Sequence, residues 1–296
     1  MSKADAFRQV EREMWERGSH AYWQSFAPIM DRVAAELLDR LAVHDGEELL
    51  DLATGPGWVA GGAAARGARV VAADISRAMV ELGASLYPAV RFVQADGEAL
   101  PFPSSSFDVA VSNLGLPHVA RPSRMVAEMV RVTRQGGRVA LTTHDAPSAT
   151  ALVGLVNDAV VEVGARLPAV LRDAPSIFHH GFPGDAPFAY LLEDGGLSDV
   201  IVGAIAFQHL TTAADLWNML ARGSARGALL VESQPAPTRN ALRVAFARLA
   251  LRFGTPENLE IPISIKLAIG TKLELKDPSS MADLGKGPGE GIVRKR

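Results

Sequence analysis

Asp51, Gly55, Gly57 and Asp74 have the residue types and spacing to hold a nucleoside. In Thr54-Gly55-Pro56-Gly57 the glycines let the backbone turn sharply and approach a ligand with no Cβ in the way. Trp58 then opens a helix rich in alanine and glycine, whose first N–H groups and positive dipole end face the turn. Asp74 closes the apolar run 68–73 and can accept both hydroxyls of a ribose. Such charge-assisted bonds contribute roughly 1.5–3 kcal/mol each when buried. Gly55, Gly57 and Ala60 satisfy the dinucleotide pattern G-x-G-x-x-A, so NAD(P) and FAD are candidates on the glycines alone. Asp51 argues against them. It ends a buried strand four residues before the first glycine, where a carboxylate is costly unless partnered. A pyrophosphate would repel it and an ammonium group would attract it. S-adenosylmethionine carries a ribose, an adenine and an amino-acid end, and no phosphate.

The elements that must position these groups are those of a doubly wound α/β unit. Leu49, Leu50 and Leu52 form a short apolar strand, and strands are expected near 48–52, 69–73, 90–94, 107–113 and 137–143. Further strands are expected at 199–206 and 261–272. Residues 1–44 read as a helical N-terminal lid: Phe7, Val10 and Met14 recur at helical spacing, as do Ile29, Val33, Leu37 and Leu41, with an aromatic-rich joint GSHAYWQSF between them. Residues 45–275 are the cofactor-binding domain, with helical cap insertions at 146–195 and 207–258. The stretch 276–296 is rich in Gly, Ser, Pro and charge, and is expected to be a disordered tail or an expression remnant.

Four blocks carry a resemblance to a known family: LLDLATGPG at 49–57, VVAADIS at 70–76, FVQADGEALPFPSSSFDVAVSNLGLPHV at 92–119 and EMVRVTRQGGRVALTTHD at 128–145. The chain resembles the class I S-adenosylmethionine-dependent methyltransferases (EC 2.1.1) over roughly residues 10–275, nearest to the small-molecule group of ubiquinone and menaquinone biosynthesis. The resemblance implies a Rossmann-like, seven-stranded, mostly parallel sheet with helices on both faces and an antiparallel last strand. It implies that Asp51, Ala53, Gly55 and Gly57 line the methionine end of the cofactor. Asp74 would bind the ribose, Ile75 and Met79 would pack on the adenine, and Asp96 and Gly97 would meet the adenine edge. Asn113 and Leu114 would lie near the transferring methyl, Tyr22 would tilt toward the site, and His118 would stand beside the substrate. Pro56 departs from the family, whose members often carry Cys, Thr or a small residue there.

Methyl transfer asks mainly for alignment of a nucleophile with an already reactive methyl group. An acceptor with a proton to lose also gains from a base near neutral pKa, the role of histidine. The candidates are His20, His118, His144, His179, His180 and His209, while His44 sits in a polar turn. His118 and His144 follow the fourth and fifth strands, at the edge where α/β sites form, and are the catalytic candidates. His179 and His180 lie in an aromatic, glycine-rich loop, and His179, with His118 and Trp217, is assigned to the substrate. No metal is expected. Leu152, Leu155, Val156, Ala159, Val160 and Val163 form one apolar stripe and Leu216, Trp217, Met219 and Leu220 another. They point to a hydrophobic acceptor such as a polyketide, terpenoid, quinone or aromatic, methylated at O, C or N in bacterial secondary or quinone metabolism. The alternative is an enzyme of the same fold that keeps the cofactor but performs a cyclisation or rearrangement.

Composition narrows the classes further. The 296 residues suit one α/β domain with embellishments. A net charge of −3 gives no reason to expect nucleic acid or a membrane surface as partner. The absence of cysteine excludes disulfides and thiol chemistry. The polar N-terminus and the lack of any long apolar run suggest a cytoplasmic protein, and the N-terminal helices are candidates for a homodimer contact.

Overall fold

The computed structural model describes residues 2–146, 149–172, 182 and 184–273. The expected tail at 276–296 and the loop carrying His179 and His180 lie outside them.

The strands form where apolar runs are bounded by turn residues. They are β1 (Glu48–Leu52), β2 (Arg69–Asp74), β3 (Arg91–Gln94), β4 (Phe107–Ser112), β5 (Thr133–His144), β6 (Leu197–Thr211), a two-residue β7 (Gly254–Thr255) and β8 (Asn258–Lys272). Their order is β3-β2-β1-β4-β5-β8-β6, with β7 folded back on β8. β1 to β5 are mutually parallel, and β8 runs antiparallel between β5 and β6. The pleat sends alternate side chains to two cores. Val109, Val111 and Ala140 enter one, while Ala110, Val139 and Leu141 enter the other. Both faces are therefore covered, which explains why the parallel strands read as nearly unbroken apolar runs.

One core is closed by the C-terminal half of α1 (Lys3–Arg40), by α2 (Trp58–Ala64) and by α5 (Ala151–Val163), α3 (Arg77–Leu86) packs beside β2 and β3, and the other core is closed by α4 (Pro122–Val132) and α6 (Asp185–Asp194). The 146–195 segment is thus divided. Thr150, Leu152 and Val153 at the start of α5 reach the central cavity, whereas Phe188 and Leu192 of α6 are buried under the opposite face.

Two elements differ from expectation. The N-terminal lid is one continuous helix of 38 residues, not two helices with a joint. Ser2 and Asp5 close its first turn as a reciprocal capping box. Gly18 and Pro28 each disfavour a helix interior, by about 1 and about 3 kcal/mol. Packing outweighs them: the Tyr22 and Phe26 rings lie tilted against each other at 5.1 Å, Tyr22 meets Trp58 edge-on at 5.3 Å, and Ile29, Met30, Val33, Leu37 and Leu38 are buried. β6 is also longer than the expected 199–206, so the second insertion begins only after Thr211. Continuous pairing from Leu197 with Lys272 to Thr211 with Leu259 extends it, and Ile205 and Phe207 face the core while Ala206 and Gln208 face out. Polar Gln208 and His209 break the apolar run and hide the end of this strand from an apolar-run search.

Past β6 come α7 (Ala213–Asn218), a wide π-helical turn Met219–Gly223, α8 (Ala225–Glu232) and α9 (Ala236–Ala250). A Cβ on Gly223 would lie 2.5 Å from Ser25 Cβ, so glycine lets this turn press against α1. Among the described residues no helix is long and apolar enough to cross a membrane.

Candidate active site

The carboxyl ends of β1 to β5 open into one cavity of about 210 Å³, roofed by α1. Ala53 and Leu114 follow β1 and β4 with φ of 53° and 57°. Such left-handed backbone costs a non-glycine residue about 1–3 kcal/mol and persists only where neighbours fix it. Thr142 of β5 does so at Leu114: its hydroxyl accepts from Leu114 N–H at 2.8 Å and donates to Asn113 Oδ1 at 2.6 Å.

Carboxylates dominate the β1–β3 half. Asp74 accepts from Gly55 N–H and Ser76 N–H, each at 2.9 Å, and keeps lone pairs for a ligand. Burial pushes its pKa up to about 6 against these two bonds. Asp51, 1% exposed, accepts from Thr54 Oγ1 at 2.6 Å and from Ala60 N–H at 3.0 Å. It caps α2 from beneath, because Gly57 at the N-cap has no side chain to do so. Its other oxygen is buried with no partner among the described residues, and burial raises its pKa to about 7. Asp96 meets Arg8 Nη1 at 3.0 Å. Buried Glu98 accepts from the N–H groups of Ala120 and Arg121 and from Arg121 Nε at 2.6 Å, anchoring the loop that follows β4.

That loop carries His118 on a short 3-10 turn, Leu116–His118. Its Nδ1 lies 2.8 Å from Glu11 Oε2. Arg226 donates to Glu11 Oε1 at 2.8 and 3.2 Å and to Pro117 O at 2.8 Å. Burial lowers the His118 pKa, Arg226 lowers it further and Glu11 opposes both, so the ring is neutral at neutral pH. Burial pushes the Glu11 carboxyl upward, but His118 and Arg226 outweigh it and hold its pKa below the ordinary value. The fall at Glu11 draws part of its cause from a charged His118, which the fall at His118 itself argues against. We take His118 as neutral and Arg226 as the cation that keeps Glu11 ionised. His144, at the end of β5, is driven down to about 4 by burial, with His118 and Arg226 adding to it.

A methyltransferase-domain family matches residues 50–141, the span from β1 into β5. The chain is 30% identical to a demethylmenaquinone methyltransferase of a Mycobacterium species (strain JLS) over 57% of this chain and 77% of that one. It is also 30% identical to a malonyl-[acyl-carrier protein] O-methyltransferase of Erwinia billingiae over 55% of this chain and 70% of that one. The chain is a class I S-adenosylmethionine-dependent methyltransferase. Three further demethylmenaquinone methyltransferases, 41%, 35% and 39% identical, match over 43%, 47% and 50% of their own lengths, so the chain spans about half of each. The fold is shared with a putative methyltransferase from an antibiotic biosynthesis pathway of Anabaena variabilis, with a TM-score of 0.57 at 20% identity over 81% of this chain and 96% of that one.

The methyltransferase places most of the expected cofactor residues in one cavity. Tyr22, Ala53, Gly55, Asp74, Ile75, Met79, Asp96, Gly97, Asn113 and Leu114 line it, and His118 and His144 line it too. Asp51 and Gly57 stand behind the glycine turn and not on the cavity wall. Gly57 has φ 97°, and a Cβ there would lie 2.7 Å from Phe92 Cζ, so its glycine serves the turn. Trp217 is also off this wall. It packs edge-on against Phe246 at 5.7 Å, because its stripe on α7 is core and faces α9. His179 lies outside the described residues. His20 and His44 are exposed, and His209 sits near the end of β6 opposite Ile261. The spacing gave no hint of Arg8, Glu11, Trp15 or Arg226, which join the site from helices remote in sequence.

The donor set fits S-adenosylmethionine. Asp74 on the wall and Asp51 buried just behind the glycine turn set carboxylates at this end of the cavity, which suits a cation and would repel a pyrophosphate. A proton-linkage prediction follows. The folded apo enzyme holds protons on Asp51 and Asp74 that an unfolded chain has already lost. Their contribution to stability is therefore full below pH 4 and fades as pH rises through about 6 and about 7. A bound cation lowers both pKa values. Titration calorimetry in buffers of different ionisation enthalpy is expected to show proton release on S-adenosylmethionine binding near pH 6.5 and none at pH 9. Buffer-independent heats at pH 6.5 would contradict it.

Proposed function

We propose that the enzyme methylates O, C or N of a hydrophobic small molecule, with His118 taking the proton of an acceptor that has one to lose. One observation carries the reading: a single cavity joins the Asp74 end to a neutral, oriented His118, and one side of its remaining wall is apolar. Phe26, Ile29, Leu152, Val153, Ile263 and Ile265 supply that wall from α1, α5 and β8. S-adenosylmethionine, held at Asp74 and the glycine turn, would supply a methyl on a sulfonium whose sulfur–methyl bond pair would stay on sulfur as the acceptor takes the methyl. The chain's own groups exclude water and set the line of approach. His144 Nδ1 is buried without a partner among the described residues. A buried lone pair of this kind is a place for a polar hydrogen of the acceptor. The named relatives are a demethylmenaquinone methyltransferase and a malonyl-[acyl-carrier protein] O-methyltransferase. The apolar side chains of that wall favour the first type, an aromatic or quinol-like acceptor.

The test is incubation with methyl-labelled S-adenosylmethionine and a panel of hydroquinones, phenols, polyketide aromatics and malonyl thioesters. Label entering an extractable apolar product supports the proposal. Label entering only RNA or protein overturns it.

A further inference from the structure

Glu11 is 2% exposed, deeper than any other charged residue on α1. A carboxylate at that depth is strongly unfavourable unless fully partnered. Its partners come from two distant parts of the chain. His118 Nδ1 meets one oxygen at 2.8 Å, and Arg226 grips the other while also holding the carbonyl of Pro117, the residue before His118.

We propose that Glu11 is a positioning residue that fixes the His118 ring with its proton on Nδ1, leaving the Nε2 lone pair for the acceptor. The inference rests on the reading of His118 as the proton-accepting group. An ionised carboxylate can only accept hydrogen bonds, so the nitrogen facing it must carry the hydrogen. Trp15 Nε1 lies 3.4 Å from the same nitrogen. Indole N–H is a donor only, so Nδ1 cannot both accept from Trp15 and donate to Glu11. The shorter contact decides, and Trp15 is left as an edge-on ring neighbour with centroids 5.1 Å apart. The charged and titratable groups around the ring are Glu11 from α1, Arg226 from α8 and His144 from β5. Arg226 disfavours a charged ring at rest, and Glu11 stabilises the imidazolium formed once Nε2 has taken the acceptor's proton. Glu11 arrives on the helix that roofs the cavity, so the ring is aligned only with that roof in place.

The test reads the ring directly. Full-length protein labelled with nitrogen-15 in histidine, with S-adenosylhomocysteine bound, is examined by NMR at pH 7.5, and His118→Gln identifies the signals. The expected wild-type ring is neutral with hydrogen on Nδ1. In Glu11→Gln the carboxamide offers its NH2 to Nδ1 while its oxygen stays with Arg226, so the proton is expected to move to Nε2. Glu11→Asp keeps an acceptor and is expected to restore the Nδ1–H form. A wild-type ring protonated on Nε2, or a tautomer unmoved by Glu11→Gln, overturns the proposal. If Glu11→Gln fails to fold, the wild-type and Glu11→Asp tautomers decide. Calorimetry on the same samples separates the two readings. Cofactor product that binds beside a wrong tautomer defeats the role of Glu11 alone, whereas no binding defeats the methyltransferase site and this inference with it.

Discussion

Asp74→Ala is expected to weaken S-adenosylhomocysteine binding about 100-fold while leaving a folded protein. Two ribose hydroxyls donating to a buried carboxylate contribute roughly 1.5–3 kcal/mol each. Relief of the buried charge offsets part of that, and the net of about 2.7 kcal/mol corresponds to two decades. The carboxylate already accepts from Gly55 and Ser76 N–H groups, so the ligand meets it pre-aligned at the end of β2. Alanine also strands those two N–H groups, and loosening of the glycine turn adds to the loss. Asp74→Asn keeps one acceptor and is expected to fall between the two. Calorimetry at pH 8, where Asp74 is ionised, measures the effect, with a thermal melt as the folding control. Unchanged affinity in Asp74→Ala would remove the ribose role from this residue.

The cofactor half was legible because its chemistry is local. Strand, glycine turn, helix and strand lie within 48–74, and the acids Asp74 and Asp96 stand at the end of β2 and just past β3. A parallel α/β sheet then sends every strand end to one edge. The acceptor half was legible only in part. Leu216, Trp217, Met219 and Leu220 form a stripe whether a helix faces a ligand or another helix. The structure buries Leu216, Met219 and Leu220, with Trp217 against Phe246 of α9, and periodicity alone has no term for that choice. Glu11 was hidden for the opposite reason. It belongs to the charged run Glu11-Arg12-Glu13, which reads as a solvated helix face, and only packing against Arg226, 215 residues away, reveals it as the buried member. The length of α1 was missed because Gly18 and Pro28 are local stop signals, whereas the contacts that override them, Tyr22 on Trp58 and Gly223 under Ser25, are long-range.

His118→Gln is expected to lower kcat for an O–H acceptor by about 10²–10⁴-fold, the range for loss of a positioned base, with cofactor affinity unchanged. Glutamine approximates the size of the ring but cannot take a proton at neutral pH, so acceptor KM should move little. The pH profile supplies the sharper evidence. A base must be neutral to act, so the wild-type rate rises with pH through the His118 pKa. Burial and Arg226 place that pKa below the ordinary 6.5, so the rate levels off by neutral pH. In His118→Gln this acid limb should disappear and the residual rate follow the acceptor's own ionisation. His144→Gln is the control within the same cavity. With a pKa near 4, His144 is neutral across the working range and accepts no proton that matters to the rate. Its loss should raise KM more than it lowers kcat. Equal falls in kcat for the two variants, with the acid limb intact in both, would mean that His118 shapes the cavity without taking the proton.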